Sequence, residues 1–187
     1  MSEQRIGIIM GSKSDWPLVE KAIKSYSRLD LPLAVTVASA HRTPEIVEQW
    51  VKDAEKQGVE VIIAVAGMSA ALPGVVASQT LLPVIGVPVE SGALRGEDAL
   101  YSIAQMPPGI PVGSMGINGI KNALLYAVHI LSLKYPAYKK KLQEFRASEK
   151  RKIPEAQKEI HADYPSFSLG ERVTPETKTK KPGKKKA

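Results

Sequence analysis

Residues 5–26 read RIGIIMGSKSDWPLVEKAIKSY, and this stretch decides the fold. Its apolar run RIGIIM predicts a buried parallel strand that ends at Gly11. After the turn GSKSDWP, apolar residues recur at helical spacing from Val19 to Tyr26, and Pro17 suits the first turn of a helix. The stretch therefore predicts one strand–turn–helix unit.

The same alternation continues along the 187-residue chain. Further strands are predicted at about 33–39, 59–66, 83–89 and 110–115. Helices are predicted at 44–57, near 75–79, at 98–105 and at 122–133. This alternation predicts an α/β fold, an open parallel sheet with helices on both faces. The last of these helices is apolar nearly all round, which favours a subunit interface and hence a homo-oligomer.

Beyond Pro136 the chain becomes highly charged, and its apolar residues form only a thin seam. The seam consists of Tyr138, Leu142, Phe145 and Ile153. This pattern predicts a surface helix or an arm on a neighbouring subunit. We therefore expect a single α/β domain at 1–135, the charged helix or arm at 136–165, and a disordered Lys-rich tail at 166–187.

The net charge of +7 is concentrated in that tail. Residues 171–187 hold seven Lys or Arg against two Glu, so they carry +5 of the total. No aromatic side chain lies between these basic residues to stack on a base, so the sequence favours a solvated extension over a nucleic-acid arm.

Composition excludes several classes of protein. The chain has no Cys, which rules out disulfides and thiolate chemistry, and its three His are too isolated to suggest a metal site. No apolar run reaches the roughly 18 residues that a membrane span needs, and the start MSEQ does not resemble a signal peptide. We therefore expect a cytoplasmic protein without a metal and without membrane contact.

Ligands of open α/β sheets bind at the carboxyl ends of the strands, and the first such loop is polar. It offers Ser12, Ser14 and Asp15 at the start of a predicted helix, where free N–H groups favour anions. Helix capping alone would also explain these residues. The loop matches neither a Walker motif nor a dinucleotide fingerprint, so neither ligand is indicated.

The second loop, SAHRTP at 39–44, places His41 beside Arg42 at a strand end. Imidazole exchanges protons near neutral pH, and guanidinium grips a phosphate with two hydrogen bonds. The pair predicts a proton carrier next to an anion anchor, although an exposed helix start capped by Ser39 or Thr43 remains open. His129 lies in an apolar helix and is predicted to be a packed residue.

The third loop, GMSAALPG at 67–74, has two glycines that would let backbone N–H groups approach a ligand. It contains no acid or base, so a tight packing turn is an alternative. The fourth loop, 92–98, is polar and is predicted to cover the site or face a neighbouring chain.

At these loops the sequence resembles N5-carboxyaminoimidazole ribonucleotide mutase and its sister 5-aminoimidazole ribonucleotide carboxylase, enzymes of purine biosynthesis. The resemblance spans about residues 5–133. It rests on the strings MGSKSDW, SAHRTP, ALPG, PVIGVPV, LYSIAQMPPGIPVG and NALL, which occur in this order.

The resemblance implies a three-layer sandwich with a parallel, flavodoxin-like sheet, assembled as a homo-octamer that needs no cofactor. It implies that His41 is the acid/base and that Arg42 and the loop hydroxyls hold a 5′-phosphate. The substrate-binding set that it indicates is Ser12, Ser14, Asp15, Ser39, Arg42, Gly67, Ser69 and Leu72. The implied partners are a ribonucleotide, CO₂ and the ATP-dependent synthetase that makes the N5-carboxy compound.

Two positions separate the possible activities. Mutases of this family usually have His where this chain has Ala71, and direct carboxylases usually have Lys where it has Arg42. SAHRTP, PVIGVPV and QMPPGIPV take the mutase form, so we predict the mutase and keep direct carboxylation with CO₂ as the alternative. A second alternative is a non-catalytic nucleotide-binding module.

Overall fold

The computed structural model describes residues 4–164. Its strands are β1 (Ile6–Met10), β2 (Leu33–Val37), β3 (Val61–Gly67), β4 (Val84–Val89) and β5 (Gly113–Ser114). Its α-helices are α1 (Trp16–Ser25), α2 (Pro44–Lys56), α3 (Leu72–Ala77), α4 (Glu97–Ala104), α5 (Ile120–Ser132) and α6 (Pro136–Asp163). Short 3₁₀ turns lie at Lys13–Asp15 and Ser27–Leu29.

The five strands form one parallel sheet in the order β2-β1-β3-β4-β5, the flavodoxin-like order. β1 lies between β2 and β3, so that Ile8 is opposite both Val35 and Ile63. The predicted α/β fold with a parallel, flavodoxin-like sheet is confirmed.

Helices cover both faces of the sheet and create two hydrophobic cores. α1 and α5 pack on one face, where Ile8 and Ile63 lie, while α2, α3 and α4 pack on the other, against Ile9 and Ile62. Because β1, β3 and β4 are buried on both faces, their sequences are nearly all apolar rather than alternating. The three-layer sandwich follows directly from this burial.

The element boundaries differ from the sequence prediction at two places that have clear causes. α3 begins at Leu72, three residues before the predicted start, because Pro73 presets a helical φ in a first turn that needs no N–H donor. β5 has only two residues, since Pro111 has no N–H to donate to the ladder. The other elements begin and end within about three residues of the predicted ranges.

The described residues divide into two units, the first ending at Phe145 and the second beginning at Arg146. In the first unit, the start of α6 follows the predicted seam: Leu142 is buried and Phe145 meets Tyr26 edge to face at 5.4 Å between ring centroids. Ile153 belongs to the second unit and is 64% exposed, so its predicted place in the seam stays a prediction. The domain ranges stay a prediction, and the predicted disordered tail lies outside the described residues.

α5 buries one face in the core beneath α1 and leaves Tyr126 half exposed, so its predicted role as a subunit interface stays a prediction. Within residues 4–164, no helix has both the length and the apolar character needed to cross a membrane.

Candidate active site

A cleft of about 560 Å³ opens at the carboxyl end of the sheet, where the loops after β1, β2 and β3 meet. This edge is where open α/β sheets bind ligands. All nine residues that the sequence assigned to a site line this cleft: Ser12, Ser14, Asp15, Ser39, His41, Arg42, Gly67, Ser69 and Leu72. Their convergence is a finding of the structure, whereas the role of each remains a proposal.

The loop after β1 both caps a helical turn and faces the cleft. The Ser12 hydroxyl accepts hydrogen bonds from the Ser14 N–H at 3.2 Å and the Ser14 hydroxyl at 2.8 Å. Asp15 occupies the position before α1 but makes no side-chain cap hydrogen bond. Capping therefore accounts for Ser12 and does not account for the Asp15 carboxyl.

Asp15 is the buried ionisable group of this cleft, with only 7% of its surface exposed. Burial raises the pKa of the Asp15 carboxyl above its ordinary value. Hydrogen bonds from the Ser12 backbone and the Ser14 hydroxyl offset only part of this increase in pKa. A carboxyl in this state is a good partner for hydroxyl donors on a ligand, because pairing would compensate its desolvation.

The loop after β2 closes on itself through Ser39 and Thr43. The Thr43 N–H donates to the Ser39 carbonyl at 2.9 Å, and the Ser39 N–H donates to the Thr43 hydroxyl at 3.0 Å. Thr43 makes no side-chain cap hydrogen bond to α2. Its hydroxyl instead accepts the hydrogen bond that closes the loop. The closed loop presents the three residues between them, Ala40, His41 and Arg42, to the cleft.

Arg42 links two of the loops. Its Nη2 donates to the Gly11 carbonyl at 3.3 Å, and its Nε donates to the Ser39 hydroxyl at 3.4 Å. These contacts hold an exposed, permanently charged guanidinium over the end of β1. The cleft thus has a permanent positive charge at this position.

His41 is exposed and lines both the cleft and an adjoining cavity of about 280 Å³. It is free to meet a ligand, whereas His129 is half buried and its Nδ1–H donates to the Leu125 carbonyl at 2.7 Å. His129 is therefore packed, as predicted. Across residues 4–164 there is no group of three or more His, Cys, Asp or Glu that could hold a metal ion.

Gly67 has a steric reason to be glycine. A Cβ at this position would lie 2.6 Å from the Ser91 hydroxyl and 3.3 Å from the Val89 carbonyl oxygen. The next residue, Met68, has a positive φ of 55°. The loop after β3 therefore turns sharply and brings its backbone close to the end of β4.

The model of the family described as AIR carboxylase matches residues 5–152. The chain belongs to the AIR carboxylase family.

Relatives of this family support the same assignment. A protein of Pyrococcus abyssi named N5-carboxyaminoimidazole ribonucleotide mutase is 53% identical over 147 residues, which cover 79% of this chain and 84% of the relative. A protein of the same name from Pseudomonas aeruginosa is 48% identical over 146 residues, covering 77% and 90%. The crystal structure of Treponema denticola PurE aligns with a TM-score of 0.75 at 31% identity and covers 83% of this chain and 97% of the other.

The cleft of this AIR carboxylase family member also contains residues that the predicted site did not include. They are Gly11, Ala40, Ala66, Met68, Ala70, Ala71 and Ser91. Most flank a predicted residue, but Ser91 follows β4, and only the strand order, which places β4 beside β3, could have revealed it. The predicted fourth loop, 92–98, supplies none of the described residues that line the cleft.

Proposed function

We propose that this chain is an N5-carboxyaminoimidazole ribonucleotide mutase of purine biosynthesis, which moves a carboxyl group from N5 to C4 of its substrate. The observation that carries the proposal is the convergence of an exposed imidazole, a fixed guanidinium and a buried carboxyl in one cleft. The names of relatives that are about half identical support the same activity.

The substrate would lie across the carboxyl ends of the strands. Arg42 and the hydroxyls of Ser12, Ser14 and Ser39 would hold its 5′-phosphate, because they combine a permanent positive charge with several donors. The Asp15 carboxylate accepts hydrogen bonds and would pair with ribose hydroxyls. Gly67, Ser69 and Leu72 would contact the heterocycle, where the small loop allows close approach.

His41 would move two protons in sequence. The protonated imidazole donates to N5 as the N5–carboxyl bond breaks, which releases CO₂ and free aminoimidazole ribonucleotide. The electron pair of C4 then attacks CO₂ to form the new carbon–carbon bond, and His41 takes the proton that C4 loses. His41 returns to its starting state, and the reaction is a net isomerisation that needs no oxidant or reductant.

Retention of CO₂ is the main requirement of this mechanism. If CO₂ escapes, the free ribonucleotide is the end product. Holding both reactants in one cleft replaces the entropy that a bimolecular encounter would cost. When the cleft is widened, we expect a smaller fraction of the substrate to become carboxylated product and a larger fraction to end as free aminoimidazole ribonucleotide.

Direct carboxylation of aminoimidazole ribonucleotide is the second candidate function, and Ala71 favours it. Ala71 lines the cleft at the position where mutases usually have a second His. Without that imidazole, N5 chemistry would depend on His41 alone, whereas capture of CO₂ by C4 requires only one base.

Two substrates separate the two activities. Purified protein is incubated with the N5-carboxy compound, or with aminoimidazole ribonucleotide and bicarbonate, and product absorbance is followed. Turnover of the N5-carboxy compound at low bicarbonate supports the mutase. Turnover only of aminoimidazole ribonucleotide, with a rate proportional to dissolved CO₂, would assign the carboxylase instead.

The assembly and cellular setting belong to the same proposal. We expect a cytoplasmic homo-octamer that is coupled to the ATP-dependent synthetase that makes its substrate. Light scattering of the purified chain measures the assembly. A mass equal to one chain would reject the octamer.

A further inference from the structure

Ser91 carries a hydroxyl that the fold leaves unsatisfied. Its Oγ is buried and has no hydrogen-bond partner within residues 4–164, yet Ser91 is one of the residues that line the cleft. Buried hydroxyls without partners are rare because they lose their hydrogen bonds to water and gain nothing in return. The second such oxygen among the described residues, Asp98 Oδ1, belongs to a residue that does not line the cleft.

Gly67 leaves room for this hydroxyl beside the end of β3. Its missing side chain would otherwise lie 2.6 Å from Ser91 Oγ, which is closer than any stable contact. The two residues lie at the ends of neighbouring strands, β3 and β4, which pair in register up to Gly67 and Val89. The orphan hydroxyl and the glycine beside it therefore form one feature.

This feature lies at the opposite end of the cleft from the anion anchor. The Arg42 guanidinium donates to the Gly11 carbonyl and so lies over the end of β1, whereas Ser91 follows β4. β4 is two strands from β1 in the sheet, a separation of about 10 Å at the usual strand spacing. A mononucleotide held at its phosphate by Arg42 would reach this distance with its heterocycle.

We propose that the Ser91 hydroxyl donates a hydrogen bond to the migrating carboxylate at the heterocycle end of the substrate. The ligand would supply the acceptor that the folded chain does not. Ser91 is then a binding residue that specifies the carboxylated end of the ligand, while Arg42 specifies the phosphate end. This inference rests on the proposed carboxyl-transfer function.

The test compares two ligands on one conservative variant. Ser91→Ala removes the hydroxyl and nothing else, and Ser78→Ala is the matched control, because the Ser78 hydroxyl already donates to the Val75 carbonyl at 2.7 Å and Ser78 does not line the cleft. Binding of 4-carboxy-5-aminoimidazole ribonucleotide and of ribose 5-phosphate is measured by calorimetry. Ribose 5-phosphate has the phosphate end of the ligand without the heterocycle.

We expect Ser91→Ala to lower the affinity for the carboxylated ribonucleotide about 10-fold or more, as for the loss of a hydrogen bond to a charged group. The affinity for ribose 5-phosphate should be unchanged. The unfolding temperature of the free variant should equal or exceed that of the wild type, because an unsatisfied hydroxyl has been removed. Ser78→Ala should bind both ligands as the wild type does.

Three results would overturn the inference. Unchanged affinity for the carboxylated ribonucleotide would show that the hydroxyl does not contact it. An equal loss of affinity for both ligands would show that Ser91 does not act on the carboxylated end. A lower unfolding temperature of the free variant would show that the hydroxyl is already paired. The proposed function fails separately, if the wild type itself neither binds nor converts the ribonucleotide.

Discussion

At the scale of single residues, His41 and His129 show why exposure matters for chemistry. The ring of His129 is engaged with the Leu125 carbonyl, whereas that of His41 faces two adjoining cavities. We expect His41→Asn to lower kcat about 100-fold or more while ligand affinity is retained, because the amide fills the position but cannot carry a proton at neutral pH. Steady-state kinetics and calorimetry on the same preparation measure both quantities.

His129→Asn is the control for this experiment, because it changes an imidazole of the same chain outside the cleft. Its turnover should be that of the wild type. If the wild type and His41→Asn both bind the ribonucleotide and neither turns it over, the chain is a non-catalytic nucleotide-binding module instead.

Replacement of the Asp15 carboxyl should raise the stability of the free chain and weaken its binding of ligand. Its folded-state pKa is raised by burial, so the native chain holds this proton more tightly than the unfolded chain does. The associated stability is complete below the ordinary pKa of a carboxyl and is lost as the pH rises through the raised value. Asp15→Asn should therefore have the higher free energy of unfolding at pH 7, and the difference should vanish in acid.

Urea denaturation at several pH values measures this dependence, and ligand calorimetry measures the consequence for binding. We expect the Asn variant to bind the ribonucleotide more weakly although it is more stable. A variant that is less stable than the wild type at pH 7 would show that the ionised carboxyl has a partner which compensates for its burial.

Residue types at strand ends were enough to indicate the polar members of the first two loops, whereas Gly67, Ser69 and Leu72 were indicated only by the family resemblance. Ser91 could not be found in this way. A serine after an apolar strand is common, and its meaning depends on which strand lies beside it. Likewise, Ala71 carries no chemical signal of its own and becomes informative only by comparison with relatives.

At the scale of secondary-structure elements, one cluster ties the start of two strands to the segment between α5 and α6. Glu60, which precedes β3, accepts hydrogen bonds from Arg5, from Lys134 at 2.8 Å and from Tyr135 at 2.6 Å. The Arg5 guanidinium also lies over the Tyr135 ring, 4.1 Å from its centroid. The cluster lies at the end of the sheet where these strands begin, opposite the cleft.

The pKa of Glu60 tells how the cluster responds to acid. Burial acts to raise this pKa, but the hydrogen bonds from Lys134, Tyr135 and Arg5 outweigh it and hold the pKa below its ordinary value. The stability that this carboxylate provides is therefore present above the ordinary pKa of Glu and is lost as the pH falls through the depressed value.

We expect Glu60→Gln to lower the free energy of unfolding by about 1 kcal/mol at pH 7 and by less in acid, the modest size reflecting partial exposure and solvent screening. Glu48→Gln is the control, since Glu48 pairs with Lys52 on the exposed face of α2 and should contribute little. Denaturant unfolding measures both variants. Equal effects of the two changes would show that the cluster does not stabilise the fold.

Periodicity predicted the type of each element because a buried strand and an amphipathic helix have different apolar repeats. It failed at the start of α3, where LPG belongs to the helix and not to the predicted turn. Pro and Gly usually mark loops, but Pro73 also suits the first turn of a helix, and only the packing of Leu72 and Val76 in the core decides between them.

At the scale of the whole molecule, alternation of strands and helices predicted a parallel sheet with two helical layers, because crossover connections require them. The strand order did not follow from the pattern, since each crossover can place its next strand on either side. The order in turn determines which loops meet. The shape of the cleft is thus a property of the topology, while its chemistry could be predicted from the loops.

The candidate active site and the basic tail are separate along the chain. Among residues 4–164, every residue that lines the cleft falls between Gly11 and Ser91, and the family match ends at residue 152. Residues 171–187 carry +5 of the net charge of +7. We expect a chain that lacks residues 171–187 to have the same kcat and KM as the full-length chain, because no charge of the tail is needed to bind or convert the substrate.

Two further measurements make this expectation specific. Replacement of the six tail Lys by Gln keeps the length and removes the charge, so it separates an effect of charge from one of extent. The six are Lys178, Lys180, Lys181, Lys184, Lys185 and Lys186.

Duplex DNA binding is measured for all three chains at low and moderate salt. Affinity that falls steeply with salt in the full-length chain alone would assign the tail to nucleic acid, because released counterions make phosphate contacts salt-dependent. A reduced kcat in either altered chain would contradict the separation, and equally weak DNA binding by all three would leave the tail a solvated extension.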